Sequence, residues 1–330
     1  MKKMNANLFF FFLVLLTSSC NYNGNRDQLP SWNEGIVKLN ITDFVNRVTD
    51  SNSKDFIPIK DRIVVFDNDG TLWSEQPMPF QLFFAINRIK KLANSKKELK
   101  EKQPFKAVIE NDQKTITNFH SNDVLKLVMY AHAVDDVEKF DSIVTNWLKT
   151  SKHPKLNKPY TELVYQPMLE LLEYLRKHQF KLYIVSGGSV EFMRIWAPEV
   201  YGIPKEQIIG TTLRTQMKSV NGKPIIQRLP ELLHNNDHEG KVISIDKIIG
   251  KKPIIAVGNS DGDLEMMQYT NSVEGSKLIL YVKHTDEKRE FFYDEDTRFG
   301  VLKKGITEAK KNNWTIIDMK KDWKIVYPTK

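Results

Sequence analysis

The chain has 330 residues, 41% apolar and 11% aromatic, which is enough for a sizeable core and argues against global disorder. Its formal net charge is +8, but the lysine runs are spread over helical patterns. No basic repeat is interleaved with aromatics, so nucleic acid is not expected as a partner. The one cysteine, Cys20, excludes an internal disulfide, and no Cys or His cluster completes a zinc set.

Met1-Lys2-Lys3 precedes an apolar run from Leu8 to Leu16, followed by Thr17-Ser18-Ser19-Cys20. The apolar run is too short to span a bilayer comfortably, so residues 1–19 read as a signal peptide. Residues 20–35 are polar and turn-rich and read as a flexible tether. An amphipathic segment, Ile41 to Val48, follows, with Thr42 or Asp43 as its N-cap.

Ile63-Val64-Val65-Phe66 is a β-branched apolar run that reads as a buried strand, and it ends in Asp67-Asn68-Asp69-Gly70-Thr71. Residues i and i+2 of an extended chain point the same way, so Asp67 and Asp69 project into one crevice. That crevice lies at a strand end, where open α/β sheets bind ligands. Two neighbouring carboxylates raise each other's pKa, and a divalent cation would relieve them. The chemistry this suggests is an Asp nucleophile beside an Asp acid/base, acting on a phosphoryl group.

The pattern then turns helical for about ninety residues, through Pro79–Ile89, Asp123–Ala131 and Val137–Leu148. A further helix, Pro167–Arg176, leads into the strand Lys181–Val185. This switch of period marks a βαβ core resuming. The strand ends in Ser186-Gly187-Gly188-Ser189, a hydroxyl and glycines suited to an anion. Leu213–Met217 and Pro224–Gln227 flank Asn221-Gly222, a hairpin signal. A helix begins near Gly240, with Val242, Ile245, Ile248 and Ile249 towards the core. Lys241 lies at its start, where the helix dipole disfavours a cation, and Lys247 is its solvated rival. The buried run Pro253–Val257 ends in Gly258-Asn259-Ser260-Asp261-Gly262-Asp263, a turn rich in hard oxygen ligands. The strand Lys277–Val282 follows, then His284 and Asp286 at its end, an aromatic and charged helix, and a last edge strand near Trp314–Met319.

Asp67 to Thr71 resembles the first motif, Asp-x-Asp-x-Thr, of the haloacid dehalogenase superfamily of phosphohydrolases. Ser186, Lys241 and the turn from Gly258 to Asp263 resemble the second, third and fourth motifs, in the family's order. The fourth departs from the pattern, with Asn259 where the family carries an acid. The resemblance implies an α/β fold with a doubly wound parallel sheet, built from residues 36–74 and 166–330. Residues 75–165 would form an inserted helical cap. It implies Asp67 as nucleophile, Asp69 as general acid/base, and Ser186, Gly187 and Lys241 as holders of the phosphoryl group. Mg²⁺ would be held by Asp67, Asp69, Asn259 and Asp263, with Asp261 a further candidate. The reaction implied is hydrolysis of small phosphomonoesters through an aspartyl-phosphate. The cap resembles the phosphoserine phosphatase branch, in which an acidic residue near Glu75 receives the substrate's ammonium. The N-terminus resembles a bacterial lipoprotein signal, implying export and a lipid on Cys20 as the chain's hold on a membrane. Asn259 sustains one alternative, a non-catalytic, lipid-anchored protein that binds phosphometabolites in the same pocket.

Overall fold

The computed structural model describes residues 27–134 and 136–329. The leader 1–19, Cys20 and the first part of the expected tether lie outside the described residues. Seven strands form one sheet: β1 (Ile63–Phe66), β2 (Lys181–Ser189), β3 (Ile208–Val220), β4 (Lys223–His234), β5 (Ile255–Gly258), β6 (Leu278–Lys283) and β7 (Thr315–Asp318). Their order is β4-β3-β2-β1-β5-β6-β7. Neighbours are parallel except β3 and β4, which form the hairpin that Asn221-Gly222 signals.

Every residue of β1 and β5 is buried, because helices cover both faces of the sheet and leave no side for polar residues. β1 pairs with β2 on one side and with β5 on the other, so the winding direction reverses beside it. In an open α/β sheet such a reversal splays the following loops and opens a crevice at the strand ends. Phe66 lies level with Ile184 and Val257, which brings the ends of β1, β2 and β5 together there. This is the doubly wound architecture that the sequence implied.

The α-helices among the described residues are α1 (Ile36–Thr49), six between β1 and β2, and five later ones. The six are α2 (Phe80–Leu92), α3 (Phe105–Glu110), α4 (Gln113–Thr117), α5 (Ser121–His132), α6 (Val137–Thr150) and α7 (Gln166–Lys177). The later ones are α8 (Val190–Tyr201), α9 (Glu239–Ser244), α10 (Leu264–Asn271), α11 (Lys304–Lys311) and α12 (Met319–Asp322). Leu82, Ala85, Leu99, Phe105, Val108 and Leu127 close a small apolar cluster of their own between β1 and β2. Phe84 and the α6 residues Phe140, Val144 and Trp147 belong instead to the main core, where Trp147 approaches Phe192 of α8.

Four local expectations change. Residues 27–35 do not form a tether: Leu29 and Trp32 are fully buried, and Trp32 meets Trp323 edge-on at 5.9 Å. Two backbone bonds, Asn33 N–H to Asp322 O and Lys324 N–H to Ser31 O, both 2.8 Å, bind that segment to residues 322–324. α1 starts at Ile36 after Gly35, so neither Thr42 nor Asp43 caps it; Thr42 bonds back to Lys38 O inside the helix. α9 runs into a π-turn, Ile245–Ile249. The wider turn breaks the 3.6-residue spacing, so Ile245 is buried while Ile248 faces solvent. Residues 287–300 form turns rather than a helix. Arg289 holds them as a strap, donating to the carbonyls of Met319 and Trp323.

Candidate active site

The crevice at the ends of β1, β2 and β5 is a cavity of about 840 Å³ whose walls include Asp67, Asp69, Glu75, Ser186, Gly187 and Lys241. Its opposite wall comes from the helices after β1, with Leu82, Val124, Leu125 and Val128 among its residues. The first turn is set by backbone bonds. Asp67 N–H continues the sheet to Val257 O at 2.9 Å, and the N–H groups of Thr71 and Leu72 fold back on Asn68 O. Gly70 has φ +73°, and a Cβ there would lie 2.1 Å from Asn259 Nδ2, so only glycine fits.

Lys241 is buried and reaches three acceptors: Asp67 Oδ1 and Asp263 Oδ1, both at 2.6 Å, and Val185 O at 2.9 Å. Burial alone would lower its pKa, but Asp263 and Asp67 together raise it above the ordinary lysine value, so the ammonium stays charged. Burial, and then repulsion from Asp263, pushes Asp67 well above the carboxylate range, although Lys241 opposes both. Asp69 is pushed up to about 6 by burial, against the pull of the Trp73 indole N–H, which donates to its Oδ1 at 2.7 Å. Lys247, the rival of Lys241, is exposed in the π-turn that follows α9.

Ser186 Oγ accepts the Gly188 N–H at 3.1 Å, which fixes a tight turn at the end of β2. That turn is braced from two sides. Thr211 donates to Gly187 O at 2.7 Å, and Asn236 Nδ2 to Ser186 O at 2.9 Å. From α2, Gln81 Oε1 accepts the Ser189 N–H at 2.8 Å while its Nε2 lies 2.8 Å from His132 Nε2. Sequence reasoning missed Trp73, Gln81, Thr211 and Asn236. Gln81 carried one signal, a polar residue on the buried face of an otherwise apolar helix. Thr211 carried another, a hydroxyl closing the apolar run Ile208-Ile209-Gly210.

The fourth motif departs from expectation in three places. Asn259 and Asp263 do not present free ligand oxygens to the crevice. Asn259 Oδ1 accepts the Thr71 hydroxyl at 3.1 Å and its Nδ2 donates to Glu75 Oε1 at 2.7 Å. Asp263 is fully buried, with Lys241 on one oxygen and the N–H groups of Asn259 and Ser260, each at 3.0 Å, on the other. Asp261 accepts the N–H groups of Lys303, Lys304 and Gly305, so it caps α11. His284 stays behind the first turn, with Nε2 2.7 Å from Gly70 O, and Asp286 pairs with Arg289, so neither reaches the cavity.

Glu75 does reach it, and it is buried beside Asp69 and Asp67. Burial and those two carboxylates raise its pKa well above the ordinary range. Asp67, Asp69 and Glu75 line the cavity, and the ammonium buried beside them, that of Lys241, is shared between Asp67 and Asp263. Among the described residues, no three Asp, Glu, His or Cys side chains converge on one point as a ready-made metal cage. Mg²⁺ does not require such a cage, since one or two carboxylates, waters and a substrate phosphate commonly hold it. Hard oxygen donors in charge excess therefore fit a divalent cation.

A family profile described as haloacid dehalogenase-like hydrolase matches residues 64–268, more than half of the chain. No curated protein matches it. Among solved structures, a conserved functionally unknown protein from Anaerococcus prevotii DSM 20548 is 15% identical, with a TM-score of 0.51 over 76% of this chain and 86% of that one. A protein of unknown function from Bordetella pertussis Tohama I is 12% identical, with a TM-score of 0.48 over 78% of this chain and 98% of that one. A phosphoserine phosphohydrolase-like protein from Francisella tularensis subsp. tularensis SCHU S4 is 17% identical, with a TM-score of 0.38 over 69% of this chain and 89% of that one.

Proposed function

This chain belongs to the haloacid dehalogenase-like hydrolases, and from that premise we propose that it is a phosphatase that hydrolyses small phosphomonoesters through an aspartyl-phosphate. The observation that carries the reading is the set of contacts at the end of β1. Asp67 and Asp69 share one cavity wall, Lys241 bonds Asp67 at 2.6 Å, and the braced Ser186 turn belongs to the same wall.

Asp67 Oδ1 is held by Lys241, which orients the carboxylate and leaves Oδ2 to attack phosphorus. As the new P–O bond forms, the bond to the leaving oxygen breaks, and Asp69 delivers its proton to that oxygen. A pKa of about 6 keeps a usable fraction of Asp69 protonated near neutrality, and Trp73 fixes its other oxygen. Water then attacks the aspartyl-phosphate, Asp69 takes back a proton, and phosphate leaves with Asp67 regenerated. The Ser186 hydroxyl and the Lys241 ammonium hold the phosphoryl oxygens. A Mg²⁺ bound by cavity carboxylates would offset the charge that the phosphoryl group and Asp67 bring together.

The helices between β1 and β2 serve in this reading as the cap, and their apolar wall meets the leaving group. Export and lipidation at Cys20 complete the proposal and would place the enzyme in the cell envelope. The alternative of a binding protein without turnover is separated by one assay. Hydrolysis of p-nitrophenyl phosphate is measured with and without Mg²⁺, for wild type and Asp67→Asn. Turnover that falls at least about a thousandfold in a folded D67N variant is the expected result, because a missing nucleophile costs several orders of magnitude. A variant that retains a tenth of the rate would remove Asp67 from the role.

A further inference from the structure

We propose that Glu75 is the acid missing from the fourth motif: Asn259 holds its carboxylate at the cavity wall, where with Asp67 it binds the divalent cation. The proposal rests on the cation-dependent reading above and gives Glu75 a task other than receiving a substrate's ammonium. Three observations carry it. Glu75 lines the cavity with Asp67 and Asp69, whereas Asn259 is buried behind it with both ends of its amide engaged. The Thr71 hydroxyl on Asn259 Oδ1 directs Nδ2 towards Glu75 Oε1, 2.7 Å away. An aspartate at 259 would set a like charge at that distance, so an acid at 75 and a neutral donor at 259 form a matched pair.

The surrounding backbone makes room for this arrangement. A Cβ on Gly70 or on Gly300 would each lie 2.3 Å from Glu75 Oε1, so two loops approach the carboxylate as closely as glycine permits. The buried ammonium of Lys241 pairs with Asp67 and Asp263, and among the described residues no cation forms an ion pair with Glu75. The family's acid has in effect moved from the end of β5 to the loop after β1 while still facing the same space.

The test is binding of Mn²⁺, followed by the electron paramagnetic resonance of the free ion, together with Mg²⁺ calorimetry on the full chain. Glu75→Gln should weaken both ions by about tenfold or more, the usual cost of losing a carboxylate near a bound metal. Glu75→Asp, which keeps the charge but withdraws the carboxylate by one methylene, should weaken Mn²⁺ less than E75Q does and covers the case in which E75Q fails to fold. Wild-type affinity in E75Q would overturn the assignment. Should E75Q instead lose only its activity on phosphoserine and keep both Mn²⁺ affinity and p-nitrophenyl phosphate turnover, the ammonium role would stand in its place. A wild type that binds neither ion yet turns over substrate would remove the cation from the reading altogether, which a binding change in E75Q alone would not do.

Discussion

Lys241→Met isolates what the buried ammonium does for the fold, apart from any catalysis. In the wild type its Nζ satisfies two carboxylates and one carbonyl, all out of water. Asp263 would survive the loss partly intact, because its second oxygen keeps the Asn259 and Ser260 N–H groups. Asp67 loses the donor on Oδ1 and is left as a buried, uncompensated charge. Breaking a buried pair from one side costs about 3–5 kcal/mol, and stranding the Val185 carbonyl adds about 1 kcal/mol. A loss of about 4–6 kcal/mol is thus expected from a domain whose whole stability is of order 5–15 kcal/mol. Urea denaturation at pH 7 with a chelator present measures it. Asp67→Asn placed on K241M removes the uncompensated charge and should recover about half of the loss. The pH dependence has a fixed sign. The folded pKa of Asp67 lies above its ordinary 3.8, so the folded state binds more protons in that window. Stability of K241M should therefore rise as pH is lowered from 7 towards 5. A cost under about 1 kcal/mol, or no recovery on adding D67N, would refute the argument that this lysine neutralises a buried carboxylate.

Gly70→Ala should destabilise by about 3 kcal/mol or more in the same assay, because φ +73° and contacts of 2.1 and 2.3 Å to Asn259 and Glu75 act together. His132 is fully buried and its pKa is lowered to about 3 by burial. The unfolded chain therefore takes up its proton first as pH falls below 6.5. The stability this histidine contributes is lost between 6.5 and 3, about 2–3 kcal/mol of it by pH 4.5. His132→Leu should flatten that part of the acid limb, read as the difference between the urea midpoints of wild type and variant. Expressed in a bacterium, the chain should partition with membranes and be released by Cys20→Ser; recovery of wild type in the cytoplasm with residues 1–19 intact would refute export.

The sheet was legible because its inner strands are unbroken apolar runs, and because chemistry sits where those runs stop. Asp67, Ser186 and Asn259 each follow such a run, and the order of runs and helices already implied parallel winding. Lys241 was legible because a cation at a helix start needs a nearby anion. What stayed hidden depends on partners distant in sequence. Asp263 reads as a ligand until Lys241 and two backbone amides are seen to occupy it. Asp261 reads the same way until the start of α11 arrives from forty residues further on. Trp32 looks like part of a tether because its burial is supplied by Trp323 and by the Pro167 carbonyl, which accepts its indole N–H at 2.9 Å. The helix expected after Asp286 failed for a related reason. Its charged pattern is periodic enough, but Arg289 makes its bonds to the carbonyls of residues 319–324 instead of within a helix.

The clasp between Trp32 and Trp323 also sets a timetable for synthesis. Roughly 290 residues separate the two rings in the chain. At translation speeds of about 5–20 residues per second, the first ring waits roughly 15–60 seconds for the second to leave the ribosome. Until then Leu29 and Trp32 remain without one wall of their socket, an apolar lure for a holding chaperone. The clasp thus closes only once Trp323 has emerged, and a nascent chain halted short of it should remain sensitive to protease around Leu29 and Trp32.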